Sequence, residues 1–426
     1  MLNGIANAFR VPELRKKILL TVGVLVLYRF GAYLPVPGAP FQEMLSAYAA
    51  GVSSSGAMAV LNLFSGGALS RMSVFSLGIM PYITAQIILQ MFQAVVPSLG
   101  ELAKEGESGQ RKITQYTRYL TIGLALLNAI AYLFYFKSFG VTFSQMGIPE
   151  ALENVIVVFT MLVGAVIIMW LGEVITQRGI GNGMSLIIFC NIMSGLPTAL
   201  ISSVTTSANG MILTIITFLV ILAIIPVIVY IERGQRRIPV QYAKRVVGRR
   251  MMGGQSTYLP IKVNTAGVIP IIFASAILYF PAQLSVFFPN VGWVQSFAGA
   301  LTSGWVNWIL SIVLIVFFAY FYTSMVFNPE ETADQLRTQG GFIPGIRPGK
   351  ATVDYIKSVI DHITLPGALF MAALAVIPSI IFFFTGNRLI QAFGGTSILI
   401  MVGVAMDTLS SIESQLKMNN YDGFFK

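Results

Sequence analysis

The chain has 426 residues, of which 55% are hydrophobic and only 10% are charged. A soluble domain carries about a quarter charged residues, so this composition, with a mean hydropathy of +0.77, excludes a water-solvated globule and points to lipid. The net charge of +10 could suit nucleic acid, but the cations fall in a few loops between apolar runs, which is how membrane topology is written. A single cysteine, Cys190, and a single histidine, His362, exclude a disulfide framework, a zinc site of cysteines and a multi-histidine metal centre within one chain. No metal and no cofactor are expected.

Ten apolar runs follow one another along the chain. The N-terminus shows Phe9, Arg10 and Glu13 and then enters a full-length span, so no cleavable signal peptide is expected. The first run is Ile18 to Leu34, stopped by Pro35 and Pro37; the second is Val74 to Val96, stopped by Pro97, with Pro81 expected to bend it. Tyr119 to Phe136, Val155 to Leu171, Met184 to Val204 and Met211 to Ile231 come next. The last four are Ala266 to Phe288, Trp305 to Phe327, Leu365 to Phe384 and Ser397 to Ile412. Most are long enough to cross about 30 Å of hydrocarbon at about 1.5 Å per residue.

The basic residues then set the orientation. One set of segments holds Arg15, Lys16 and Lys17; Lys104, Arg111, Lys112 and Arg118; Arg178; the cations from Arg233 to Lys262; and Arg337, Arg347, Lys350 and Lys357. The alternate loops carry only Arg71, Lys137 and Arg388. By the positive-inside rule both termini face the cytoplasm, and an even number of spans keeps that asymmetry intact.

Between the first two spans lies GAMAVLNLFSGGALS (56–70), apolar but too short to cross. Gly66 and Gly67 weaken any helix there, by about 1 kcal/mol each relative to Ala. Such a run is either an interfacial loop helix or a re-entrant segment held inside protein. Two cytoplasmic loops, 232–262 and 328–362, are long enough to be docking surfaces or simply solvated basic loops. In the first, Gly253 and Gly254 can form a turn, and in the second GGFIPGIRPG (340–349) reads as a turn rather than a helix.

The spans are poor in chemistry. Arg29 lies near the outer end of the first span, where it can snorkel; Glu173 and Asp407 read as end residues or single structural partners. No carboxylate pair, nucleophile–base dyad or metal cluster can be assembled, so an enzyme is not expected. The glycine string RGIGNG (178–183) lacks the lysine of a phosphate loop and reads as a tight turn between two spans. What the spans do offer is aliphatic residues at helical spacing, with Ile79 and Ile83 on one face and Met184 and Ile188 on another. Such stripes are ordinarily helix packing, although a hydrophobic constriction can also gate a channel by dewetting.

Motifs spread over almost the whole chain resemble the SecY family of protein-export channels. They are LPVPG (34–38), FSGGALSR (64–71), LGIMPYI (77–83), KEGESGQRKITQYTRY (104–119), WLGE (170–173), RGIGNGMS (178–185), YIERGQRRIPVQYAKR (230–245), QSTYLPIKVNTAGVIP (255–270), FNPEETAD (327–334), FIPGIRPG (342–349) and FGGTS (393–397). The resemblance implies an all-α membrane protein of ten transmembrane helices, in two five-helix halves (1–205 and 206–426) related by inverted pseudo-symmetry. It also implies a short re-entrant plug helix at about 57–72, including Phe64, Ser65, Gly66, Gly67, Ala68, Leu69, Ser70 and Arg71.

The same resemblance implies a pore ring of Ile79, Ile83, Met184, Ile188, Ile272 and Ile400, in which Met184 departs from the usual branched aliphatic residue. The lateral gate would run between the second and seventh spans, with Thr84 and Gln90 facing the segment that begins at Asn264. Arg249, Arg250 and Arg347 would dock the SecA motor ATPase or the ribosome, and SecE and SecG would be the small membrane subunits. An unfolded precursor polypeptide with its signal sequence would pass through, and transmembrane segments would leave sideways into membrane lipid of the bacterial cytoplasmic membrane.

A secondary solute transporter is the competing class, but it would need polar coordinating groups near the midplane, and these spans are nearly free of charge. No nucleotide-binding motif is visible, so energy would come from a partner. Cysteines placed at Gln255 and Gly341 are expected to react with a thiol reagent only from the cytoplasmic side; labelling of either one only from outside would reverse the orientation.

Overall fold

The computed structural model describes residues 9, 11–40, 43–46, 48, 62, 64–138, 140–143, 147–206, 210–242, 245–247, 250–252, 256–288, 291–302, 304–385 and 395–422. The first helix, α1 (Pro12–Gly31), opens on a proline, which lacks the N–H that a first helical turn leaves unpaired anyway. The second, α2 (Met80–Val95), starts six residues later than the expected Val74, because Gly78 holds a positive φ of 57° and Pro81 opens the helix. Pro81 therefore begins this helix instead of bending it. The bend falls at Pro97, where α3 (Pro97–Lys104) turns away from α2 by 101°.

Next come α4 (Glu107–Ser138), α5 (Glu150–Arg178), α6 (Gly183–Thr206) and α7 (Gly210–Glu232). After the strands described below, the chain forms α8 (Ile269–Phe287), α9 (Gly292–Thr302), α10 (Gly304–Val326), α11 (Pro329–Thr338), α12 (Lys350–Thr385) and α13 (Gly395–Asp422). Asn328 caps α11 by accepting from the Glu330 N–H at 3.1 Å. The RGIGNG string is the expected tight turn. Gly181 sits at φ 73°, Asn182 Oδ1 accepts from the Met184 N–H at 3.0 Å, and the Thr21 hydroxyl of α1 accepts from the Ile180 N–H at 3.2 Å.

Among the described residues, six helical segments are long and apolar enough to cross a membrane: Glu107–Ser138, Glu150–Arg178, Ile215–Glu232, Gly304–Thr338, Lys350–Ile381 and Gly395–Met418. The pair α2 and α3 passes the same test only as one bent unit, and Gly183–Pro197 and Ile269–Ser285 are shorter apolar helices. The outer surface supports the lipid reading: Leu27, Leu219, Trp293, Trp305 and Val313 are all exposed, and Val95 is 76% exposed. Soluble monomers rarely leave so many large apolar side chains exposed. The chain is a multi-pass membrane protein.

The chain is mostly helical, but it also carries short strands that the expected all-α architecture did not include. The 232–262 loop contains β1 (Gln235–Tyr242), β2 (Arg245–Val247), β3 (Arg250–Met252) and β4 (Ser256–Lys262), and β5 (Gly341–Phe342) comes from the later loop. Strand β1 lies between β4 and β5, antiparallel to both, with Ile238 opposite Leu259 and Gln241 opposite Phe342; β2 and β3 pair separately. Ile238, Val240 and Ile261 face Leu336 of α11 and Ile356 and Ile360 of α12, so the two long loops form one small core of their own. Gly340, Gly345 and Gly349 all have positive φ, so the GGFIPGIRPG stretch is a turn as read, apart from the two residues of β5. Gly253 and Gly254 lie outside the described residues.

The helices pack in two similar series. In one, α2 packs on α4, α4 on α5, and α5 on α6 and α1; in the other, α8 packs on α10, α10 on α12, and α12 on α13, which also holds α7. The two series meet where α2 and α4 touch α8, and where α6 touches α7 and α13. Within the first series, an added Cβ on Gly164 of α5 would collide with the Val74 carbonyl of the chain leading into α2. Gly164→Ala is therefore expected to cost about 1–3 kcal/mol through overpacking, read as a lower thermal midpoint of the purified protein in detergent.

Candidate functional site: the apolar interior and the segment packed on it

The six residues expected in the ring are all buried and all belong to one contiguous apolar cluster. They reach it from four helices. Ile79 is the residue just before α2 and Ile83 lies one turn inside, where its N–H bonds the Ile79 carbonyl at 3.2 Å. Met184 and Ile188 come from the first turns of α6, Ile272 from the start of α8 and Ile400 from α13. Ile79, Ile188 and Ile400 are at most 1% exposed. The Met184 thioether occupies the space a side chain at Gly172 of α5 would need, so a glycine on the neighbouring helix makes room for the one unbranched member.

Against this cluster lies the described part of the expected plug, Asn62 and residues 64–72; 57–61 and Leu63 lie outside the described residues. From Ser65 onward it is a series of turns rather than a helix, because Gly66 and Gly67 take φ of 64° and 85°, the left-handed region that favours glycine. Local bonds replace those a helix would make. The Asn62 carbonyl accepts from the Gly67 N–H at 2.9 Å and from the Ser65 hydroxyl at 3.0 Å, and the Asn62 side chain accepts from the Ser70 N–H at 2.9 Å. Ser65 Oγ in turn accepts from the Leu69 N–H at 3.1 Å.

Two side chains from elsewhere reach the same backbone. Asn191 of α6 donates from Nδ2 to the Phe64 carbonyl at 2.6 Å, and Arg29 of α1 donates to the Gly66 carbonyl at 3.1 Å. Arg29 thus turns inward instead of snorkelling toward the headgroups. The chain then leaves the segment along the loop after α1: the Val36 N–H bonds the Met72 carbonyl at 3.0 Å and the Val74 N–H bonds the Leu34 carbonyl at 2.8 Å. The Arg71 guanidinium sits 4.3 Å from the centre of the Tyr33 ring.

The side chains of the segment divide between two cores. Phe64 joins the cluster of the six aliphatic residues and meets Tyr279 of α8 edge-on at 5.0 Å. Leu69 and Met72 join a second cluster formed with α4 and α5. Asn191 and Arg29 were not singled out together from the sequence, although each is a polar residue inside an apolar run.

The expected gate residues are less unified. Helices α2 and α8 do pack against each other. Thr84 bonds its own helix at the Met80 carbonyl, and Gln90 Oε1 is buried with no hydrogen-bond partner among the described residues. Asn264 donates to the Gly267 carbonyl at 3.0 Å and lines a small cavity with Glu232, Gly367 and Leu399, among residues of α7, α8, α12 and α13. Of the expected docking residues, Arg347 is exposed on the turn before α12, Arg250 lies in β3, and Arg249 is outside the described residues. Glu173 has the single structural partner its position suggested: it accepts two bonds from Arg118 of α4, at 2.9 and 2.6 Å.

The SecY family model matches residues 73–409. The protein translocase subunit SecY of Streptomyces coelicolor is 46% identical over 448 aligned residues that cover 100% of both chains. Among solved structures, a protein-conducting channel superposes with a TM-score of 0.64 at 19% identity, covering 93% of this chain and 91% of that one. A SecY protein whose plug domain is described as stabilising the closed state of the translocation channel superposes with a TM-score of 0.61 at 19% identity, over the same shares. With the family model matched over most of its length and a relative 46% identical across both chains, the chain belongs to the SecY family of protein translocase subunits.

Proposed function

We propose that this chain forms the protein-conducting pore of a bacterial Sec translocase, passing unfolded secretory polypeptides across the cytoplasmic membrane and releasing transmembrane segments sideways into it. The observation that carries the reading is the single buried cluster of Ile79, Ile83, Met184, Ile188, Ile272 and Ile400, with Phe64 of the intervening segment packed into it. A substrate of arbitrary sequence cannot be recognised by a fixed polar site. A collar of aliphatic side chains can deform around many chains and, once closed, offers ions nothing to replace their water.

In this reading ten helices span the bilayer, in halves 1–205 and 206–426 related by inverted pseudo-symmetry, and both termini are cytoplasmic. The matching packing order of α2, α4, α5, α6 and of α8, α10, α12, α13 supports two equivalent halves. Residues 57–72 are the plug. The halves part where α2 meets α8, opening a lateral gate past Thr84 and Gln90, with Asn264 at the head of α8. A signal sequence that partitions through this gate gains about 25 cal/mol per Å² of apolar surface removed from water. SecE and SecG accompany the channel, and Arg249, Arg250 and Arg347 receive SecA or the ribosome.

Purified translocase in planar bilayers tests the seal. Ile83→Ser with Ile188→Ser is expected to raise resting ion conductance, and removing 60–70 to raise it further; a double variant as tight as the parent would reduce these residues to ordinary packing. Docking is tested at Arg347, whose charge is exposed on a turn that its own carbonyl braces by accepting from the Thr352 hydroxyl at 3.0 Å. Arg347→Glu should weaken motor binding about ten- to a hundredfold, the factor for losing one charge-assisted bond, while the protein still inserts. Undiminished SecA-driven export by that variant would rule the contact out.

A further inference from the structure

The segment over the apolar cluster is fastened to both of its neighbouring helices by its own backbone. Asn191, 0% exposed, donates to the Phe64 carbonyl at 2.6 Å, and Arg29 donates to the Gly66 carbonyl at 3.1 Å. These carbonyls are two residues apart, while their donors lie 162 residues apart in sequence, on α1 and α6, so the two donors grip one turn from two sides. Gly66 is the residue that lets them meet there. Its φ of 64° disfavours any side chain, and a Cβ added to it would lie 2.6 Å from Asn191 Oδ1 and 2.7 Å from the Arg29 guanidinium. Among the described residues Asn191 Oδ1 itself is buried with no hydrogen-bond partner, so the amide is aimed at the segment by its donor side.

Both bonds end on main-chain oxygens, and neither depends on the side chains the segment carries. Water cannot readily substitute for the Asn191 donor, which is fully buried beside Tyr28 and Phe64, both at most 2% exposed. The turn at 64–66 is thus held in one place by a charged donor at the outer end of α1 and a neutral donor on α6. Relative rotation of α1 and α6 would stretch both bonds at once.

We infer that Arg29 and Asn191 are the latch that keeps the plug seated, positioning residues that set the equilibrium between its seated and released states rather than lining the path of the substrate. The inference rests on the reading of 57–72 as the plug. In the released state the two carbonyls and the two donors are free to be hydrated, so the loss of either donor removes stabilisation from the seated state alone.

The test uses the translocase reconstituted with its small membrane subunits in planar bilayers. Arg29→Met is expected to raise resting conductance about ten- to a hundredfold, the factor for losing a charge-assisted bond, and Asn191→Leu about three- to tenfold, for a neutral one. Arg29→Lys keeps one donor and should recover part of the seal. Gly66→Ala, which leaves both donors unaltered, should leak as well. The effects of the Arg29 and Asn191 variants should vanish in a background lacking 60–70, because a latch has no action without its plug. Three outcomes overturn the latch. If the deletion leaks but Arg29→Met and Asn191→Leu do not, the plug stands and the latch falls. If the point variants leak as strongly in the deletion background, they act by general damage. If the deletion itself does not leak, the plug reading fails and the latch with it.

Discussion

A backbone that stops being helical inside an apolar setting must find a partner for each amide and carbonyl, since no water is there to do so. Residues 64–79 are such a stretch, and much of the surrounding structure is arranged around that need. Asn62 and Ser65 provide the local bonds, the loop after α1 provides a short antiparallel contact from Leu34 to Val36, and Arg29 and Asn191 provide donors from two helices. Gly66, Gly67 and Gly78 supply the left-handed turns that make these contacts reachable. Were the stretch a simple continuation of α2, none of these residues would be required, and the apolar cluster would lack Phe64.

The interior around it is built on the opposite logic. The cluster that includes Ile83, Ile188, Ile272 and Ile400 is held mainly by apolar, non-directional contacts, which can be broken and remade without leaving an orphaned charge. Polar contacts between helices lie at its margins: Arg118 with Glu173 between α4 and α5, and Lys17 with Gln415 between α1 and α13.

Much of the helical frame was legible in the sequence, because long apolar runs closed by Pro or by basic loops have few alternatives to a membrane helix. All six ring candidates fell within one cluster, although periodicity alone could not have separated them from other packing residues; the resemblance to a family did that. The sheet was missed for a physical reason. Strand β1 alternates exposed Arg236, Arg237 and Gln241 with buried Ile238 and Val240, and the dense charge of the loop hid the two-residue period that marks a half-buried strand. The start of α2 was misplaced because Val74 to Ile79 is apolar enough to pass for helix, and only Gly78 with Pro81 argues otherwise. Arg29 and Asn191 were legible as anomalies, each a polar residue in an apolar run, but their convergence depends on the folded path of Gly66.

Helix α12 runs without interruption from Lys350 to Thr385, 36 residues and therefore about 54 Å at about 1.5 Å per residue. A bilayer core takes up about 30 Å of that, so roughly two-fifths of the rod stands clear of the hydrocarbon. Its projecting end is wedged by Ile356 and Ile360 into the core shared with β1 and α11, while its other end packs against α10 and α13. The projecting domain and the bundle therefore share a single stiff beam. Torque applied to the sheet is carried into the membrane along that beam, with Pro366 and Pro378 as its points of compliance.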